Sequence, residues 1–194
     1  MVPALTGRVL GALRMFCSAR FLTVGPGLKS GIKLRLDNPA QLGAELLCGA
    51  VAALEEGPGP LAVISADTAI SIMAVNGKQD LVGGVILPGP QLSLSALVQK
   101  TAQLPQIDLS APASSSILGK NTSACLQNGF VLGTAGLLDG LAERFQAELG
   151  PDIRFYATGN LPRTIREACR TPIEYREYLI TDGLYRIWQK NRKG

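Results

Sequence analysis

Three segments in fixed order decide the fold: Gly83-Gly-Val-Ile-Leu-Pro-Gly89, Ser93-Leu-Ser-Ala-Leu-Val-Gln-Lys-Thr-Ala-Gln-Leu-Pro105 and Gly119-Lys-Asn-Thr122. The first completes the apolar run Asp80–Leu87, which follows Ala69–Val75 across Asn76-Gly77. Asn-Gly between two β-prone runs predicts a hairpin, here with a loop of about four residues. The second predicts a helix capped by Ser93, with Leu94, Leu97 and Val98 on its face. Pro105 to Ser116 is polar and proline-bearing, and reads as the connection to the third segment. With the short strand Leu61–Ile64 ahead of the hairpin, the pattern is mixed α/β.

Downstream, Thr122–Leu149 is helical, as one helix or two, and carries Gly129, Gly133, Gly136 and Gly140. An interior glycine costs a helix about 1 kcal/mol relative to alanine, so four on one face predict close packing against another element. Ile153–Thr158 reads as a strand, Gly159-Asn160 as a turn and Leu161–Ala168 as a helix. A closing helix, Asp182–Lys190, is expected to turn Leu184, Ile187 and Trp188 inward.

Upstream, Gly57-Pro-Gly-Pro60 is the best domain boundary, dividing residues 1–60 from 61–194. It ends a helix expected to begin at Asn38, a good N-cap followed by Pro39, and to carry Leu42, Leu46, Ala50, Ala53 and Leu54 at helical spacing to about Glu56. The three glycines of Gly25-Pro-Gly-Leu-Lys-Ser-Gly31 permit backbone conformations closed to other residues and allow a ligand to approach closely. Residues 1–22 hold Arg8, Arg14 and Arg20 and no acid, which imitates a transit peptide. The reading preferred here is an ordinary amphipathic helix leading into a strand, Phe21–Val24.

Composition narrows the chemistry. A chain of 194 residues, 46% hydrophobic, can bury a substantial core. It contains no histidine, which excludes Ser-His-Asp and Cys-His nucleophiles and leaves a carboxylate or an amine as general base. Cys17, Cys48, Cys125 and Cys169 are far apart and form no CxxC, suggesting reduced thiols in a cytoplasmic protein. The net charge of +4 and pI near 9.0 favour anionic ligands such as nucleotides. The cations are scattered except in Gln189–Lys193, read as a solvated end, so nucleic acid is not the expected partner. No run approaches the length of a membrane span.

Two segments can carry chemistry. Ser65-Ala66-Asp67-Thr68-Ala69 lies where a strand turns into the hairpin, so its backbone N–H groups and the Thr68 hydroxyl can face a phosphate. A turn in which Asp67 bonds its own backbone fits the same residues. Glu45, an isolated acid beside Gly43 and Ala44, can serve as general base for a substrate hydroxyl or as an ordinary helix-surface glutamate.

The ordered set of segments resembles the type III pantothenate kinase family over essentially the whole chain. Val2-Pro-Ala-Leu-Thr is similar to its Ser-Val-Val-Pro strand, Gly25–Gly31 to its Gly-Pro-Gly-Val-Lys-Thr-Gly loop, and Asp37-Asn-Pro with Gly43-Ala-Glu45 to its Asp-Asn-Pro and Gly-Ala-Asp-Arg helix. Ser65–Ala69 stands at its Asp-Phe-Gly-Thr-Ala segment and Thr158-Gly159-Asn160 at its Thr-Gly-Gly turn. Thr181–Leu184 fits its last helix.

The resemblance implies an actin-like, ribonuclease-H-like fold of two α/β domains, with residues 1–60 a remnant of the first and 61–194 nearly all of the second. It implies a homodimer that phosphorylates pantothenate with ATP, magnesium and a potassium or ammonium ion. Glu45 would be the base; Gly25, Lys29 and Gly43 would bind substrate, as would Asn121 and Thr122 across a dimer. Asp67, Thr68 and Gly159 would hold ATP, and Ser65 with Asp67 the monovalent cation. The chain departs from the pattern at Glu45 (aspartate in the family), Leu46 (arginine), Ser65 (aspartate) and Asp67 (glycine). It also begins where the family has completed its first hairpin and Asp-x-Gly-Asn-Thr loop, so half of the ATP clamp is expected to be absent. A non-catalytic relative, acting as a binding or transcription accessory subunit, is the alternative reading.

Overall fold

A computed structural model describes residues 3–25, 27–113 and 116–192. Its frame is one six-stranded sheet built from β1 (Lys33–Leu34), β2 (Leu61–Ala66), β3 (Ala69–Val75), β4 (Asp80–Pro88), β5 (Arg154–Gly159) and β6 (Ile173–Tyr175), in the order β1-β4-β3-β2-β5-β6. β2, β3 and β4 form an antiparallel meander. The β3–β4 loop, Asn76 to Gln79, is the expected four residues; the Asn76 side chain accepts from the N–H groups of Lys78 and Asp80, and Gln79 takes a positive φ of 63°. β5 and β6 add in parallel beyond β2, and β1 pairs in parallel with β4.

Strand alternation separates two cores. Leu61 and Val63 of β2, with Tyr156 of β5, face α2 (Ala44–Glu55) and α6 (Leu179–Asn191). Ala62, Ile64 and Ala66, with Phe155 and Ala157, face α4 (Thr122–Leu149) and α5 (Arg163–Ala168). Helices on both faces explain why β2 is a nearly unbroken apolar run rather than an alternating one. α2 and α6 approach so closely that a Cβ on Gly183 would run into the Cys48 carbonyl, which is why glycine occupies that turn of α6. On the other face, the buried Asp139 of α4 accepts from the backbone N–H groups of Arg170 at 3.0 Å and Thr171 at 2.9 Å, fixing the chain between α5 and β6. Burial acts to raise its pKa, but those N–H groups and the Arg170 charge outweigh it and hold the carboxyl below its ordinary value.

Several local expectations are corrected. Phe21–Val24 joins no ladder: it has β-prone residues but no neighbouring strand among the described residues, and a strand exists only by pairing. Pro3–Phe16 is a helix, α1, as the amphipathic reading expects, so the segment similar to the family's strand is helical from Pro3 onward; Val2 lies outside the described residues. Pro39–Gln41 is a 3₁₀ turn, and Asn38 makes no side-chain cap bond. The extended backbone of Leu42 breaks the helical path, so α2 starts afresh behind Gly43. α3 (Pro90–Gln99) is capped by Gly89 rather than Ser93, because Pro90 with its fixed φ supplies the first helical residue. Leu94 is fully buried while Leu97 is 38% exposed.

α4 is one continuous helix, and at Gly129, Gly133 and Gly136 a Cβ would meet nothing within 4 Å, so the expected close packing of that stripe is absent among the described residues. In α6 the inward residues are Leu179, Gly183 and Ile187, whereas Leu184 and Trp188 are exposed. Trp188 instead stacks on Tyr185, with ring centroids 5.7 Å apart. The basic end is not merely solvated: Lys190 Nζ donates to the Ser30 carbonyl at 3.2 Å, and Asn191 Nδ2 to the Lys29 carbonyl at 2.9 Å.

Candidate functional site

α2 is joined to β2 by five residues, runs against it and packs on it, so the N-terminus of α2 lies at the end of the sheet where β2 and β5 finish. Loops outside the carboxyl ends of parallel strands are where open α/β sheets bind ligands. Of the candidate site residues, Gly25, Gly43 and Glu45 line one recess, Asp67 and Thr68 line a second that Gly159 adjoins, and Lys29, Ser65, Asn121 and Thr122 line neither.

Glu45 stands in the first turn of α2, where a carboxylate suits the positive end of the helix dipole. It lines a groove of about 770 Å³ whose lining includes Gly25, Gly27, Leu28 and Ser30 of the glycine loop together with Asn38, Gln41 and Gly43. Gly25, Gly43 and Glu45 are thus brought together. Gly27 and Gly31 take φ of +86° and +85°, values that admit glycine without strain. The loop is held from outside by the Lys190 and Asn191 bonds, a clamp between residues 160 and 162 positions apart that sequence alone did not signal. Lys29 does not line the groove; its backbone N–H donates to Asn191 Oδ1 at 3.1 Å. On its other side Glu45 borders an apolar recess of about 440 Å³ formed with Leu5, Val9, Leu22 and Ile180.

The second recess, about 390 Å³, is lined by Asp67, Thr68, Gln91, Ser95, Leu109 and Asn160 among others. Two glycines allow its walls to meet. A Cβ on Gly89 would strike the Asp67 and Thr68 carbonyls, and one on Gly159 the Ala66 carbonyl; Gly159 also has φ of +82°. The Asp67 N–H donates to the Ala69 carbonyl at 2.9 Å, which makes the tight turn, while the Asp67 carboxylate accepts from Asn160 Nδ2 at 2.9 Å rather than from its own backbone. Tyr175 donates its hydroxyl to the Gly159 carbonyl at 2.9 Å and lies 4.0 Å beneath the Arg166 guanidinium, which fixes the turn from behind. In the sequence Asn160 read only as a turn residue and Tyr175 and Arg166 carried no signal, because the Asp67 partner of Asn160 is 93 residues away and Tyr175 meets Gly159 only through the pairing of β6 with β5.

Ser65 pairs with Ser71 and Thr158 across the sheet, and alternation turns it to the α2 side with Leu61 and Val63. These three hydroxyls form a row across β3, β2 and β5, one pair short of the end of the β2–β5 ladder. Asn121 caps α4, accepting from the Ala124 N–H at 2.8 Å; neither Asn121 nor Thr122 lines the groove or the cleft. Groove and cleft have no lining residue in common. Among the described residues no group of three or more His, Cys, Asp or Glu side chains could hold a metal ion, so a cation here would depend on single protein oxygens and on the phosphates it accompanies.

The family model described as type III pantothenate kinase matches residues 1–144. The chain is 34% identical over 192 residues to the type III pantothenate kinase of Koribacter versatilis, spanning 99% of this chain and 69% of that protein. It is 35% identical over 193 residues to that of Geotalea uraniireducens, spanning 100% and 75%. A solved structure from Campylobacter jejuni, described as of the Baf family of transcriptional activators, is similar over 99% of this chain and 80% of its own with a TM-score of 0.58 and 18% identity, which shows the fold alone. The match runs through the Gly25–Gly31 loop, Glu45 and the Asp67-Thr68 turn, and the chain belongs to the type III pantothenate kinase family.

Proposed function

We propose that this chain transfers the γ-phosphoryl group of ATP to the primary hydroxyl of pantothenate, the reaction of its family in coenzyme A biosynthesis. The observation that supports it best is the position of Glu45: a carboxylate at a helix N-terminus, in a groove large enough for a small acid, at the same end of the sheet as Thr68 and Gly159. Glu45 accepts the hydroxyl proton as the pantothenate oxygen attacks the γ-phosphorus and ADP leaves. Gly25 and Gly43 let the substrate approach the backbone, and Lys29 supplies positive charge outside the groove. The Thr68 hydroxyl holds a phosphate, and Gly159 lies beside the adenosine.

Magnesium would supply charge neutralisation on the phosphates; Asp67 would be the carboxylate that meets a cation, and Ser65 would offer only a hydroxyl to a potassium or ammonium ion. In a cytoplasmic homodimer, Asn121 and Thr122 would reach a partner's pantothenate rather than their own, which accounts for their absence from the groove. Residues 1–60 would then be the part of a first lobe that carries the groove, and 61–194 the second lobe.

Purified chain is to be assayed for ATP-dependent phosphorylation of pantothenate with magnesium and potassium or ammonium, beside Glu45→Ala. The expected result is turnover that the substitution lowers by roughly 100-fold or more. Turnover that Glu45→Ala leaves unchanged overturns the assignment of the base. One observation favours a second reading, a catalytically silent binding subunit: groove and cleft share no lining residue. A folded chain that binds ATP and pantothenate without turnover would establish it.

A further inference from the structure

β2 and β5 pair in parallel up to Ala66 and Gly159, and there the backbone ladder ends. One register step further, the Asp67–Asn160 side-chain bond adds a final rung between two turns that diverge, across 93 residues of sequence. Among the described residues Asp67 is the only charged one lining the cleft; the remainder are neutral oxygen-bearing or apolar side chains. With Nδ2 committed to Asp67 Oδ1, Asn160 presents its amide oxygen, beside Asp67 Oδ2 and the Thr68 hydroxyl, none of which has another hydrogen bond among the described residues. Hard oxygens with a single carboxylate suit magnesium, which keeps several waters and is held by one or two carboxylates plus the phosphates of a nucleotide. The same carboxylate repels a bare polyphosphate.

We propose that Asn160 is a positioning residue that holds the Asp67 carboxylate at the mouth of the cleft, so that the site takes ATP as its magnesium complex and rejects the free anion. The inference rests on the nucleotide reading above and adds the form of the nucleotide and the two side chains that select it. Asp67 meets the cation; Asn160 acts through Asp67.

Calorimetric titration of the full chain with ATP, in EDTA and in magnesium chloride, reads the ratio of the two dissociation constants without requiring turnover. For the parent chain we expect magnesium to tighten binding by roughly tenfold or more. Asp67→Asn should bring the ratio close to one, chiefly by tightening free ATP. Asn160→Ala should lower the ratio several-fold, and the double exchange Asp67→Asn with Asn160→Asp, which keeps the rung and moves the charge across it, should restore part of it. Both side chains are exposed, and the conservative exchanges keep the test valid if the alanine variant fails to fold. Parallel weakening of both ATP forms in Asn160→Ala, with the ratio unchanged, would show a merely structural rung and overturn the inference while leaving the nucleotide reading intact. No ATP binding by the parent in either buffer would overturn the nucleotide reading itself.

Discussion

Gly183→Ala and Gly133→Ala are the same substitution in helix interiors, and the structure predicts opposite signs for them. An alanine methyl needs roughly 3.5 Å from the atoms it touches, whereas at residue 183 it would overlap the Cys48 backbone carbonyl. A carbonyl inside α2 cannot swing aside as a lysine tip can, so α2 and α6 must part by on the order of 1 Å within a close-packed core. Overpacking of this kind costs about 1–3 kcal/mol; taking the upper end for a rigid neighbour and returning about 1 kcal/mol for helix propensity leaves a net loss near 2 kcal/mol. For a chain of this length that corresponds to a fall in Tm of roughly 4–8 °C. Gly133 of α4 meets nothing within 4 Å, so only the propensity gain remains: about 1 kcal/mol and a rise of roughly 2–4 °C. Cys48 is one turn from Glu45, and a base misplaced by about 1 Å loses on the order of 100-fold in rate, so Gly183→Ala should lower kcat as well. Differential scanning calorimetry and urea unfolding of both variants decide the matter. A Gly183→Ala protein as stable as its parent would refute the packing argument.

Three further outcomes follow from other groups. Asp139→Ala leaves two backbone N–H groups without their charged acceptor, so urea unfolding at pH 7 should show a loss of about 3–4 kcal/mol. Because the folded pKa of Asp139 is lowered, its contribution is complete above the unfolded value near pH 4 and fades as the pH falls through the folded value. The acid limb of the stability profile should therefore be shallower in the variant, and identical limbs would count against this role. Burial pushes the Cys48 and Cys169 thiols up to about 11, while Cys17 and Cys125 are exposed; at pH 8 a disulfide reagent should label two thiols quickly and the other two only on unfolding, as mass spectrometry of the peptides can check. Asn191→Ala frees the Lys29 backbone, so it should raise the KM for pantothenate several-fold with a smaller change in kcat, read from steady-state kinetics.

The hairpin, β5 and α4 were legible because their signals are local: Asn-Gly sets the four-residue loop, and long apolar runs set strand and helix. Phe21–Val24 was misread for the same reason, since β-propensity is local but pairing is not. The helix starts at Gly43 and Gly89 escaped because Asn38 and Ser93 are stronger cap residues in isolation, and the backbone at Leu42 and the fixed φ of Pro90 prevailed. In the site, Glu45, Gly43 and Thr68 could be named from spacing and resemblance. Asn160, Tyr175 and the Lys190–Asn191 clamp could not, because each acts on a partner dozens of residues away or more, or through a register that only the folded sheet defines.

The parallel pairing of β5 with β2 also bears on how the molecule comes into being. The meander β2-β3-β4 closes short loops and can form early, but β5 arrives only after α3, a long connection and the whole of α4 have been made. Closing so distant a contact is entropically slow. Both walls of the Asp67–Asn160 cleft depend on it, so ligand binding should appear late in refolding, after most helical signal has returned. On the ribosome too, a nascent chain that stops short of residue 160 carries the Asp67-Thr68 turn but lacks the strand that holds it in place.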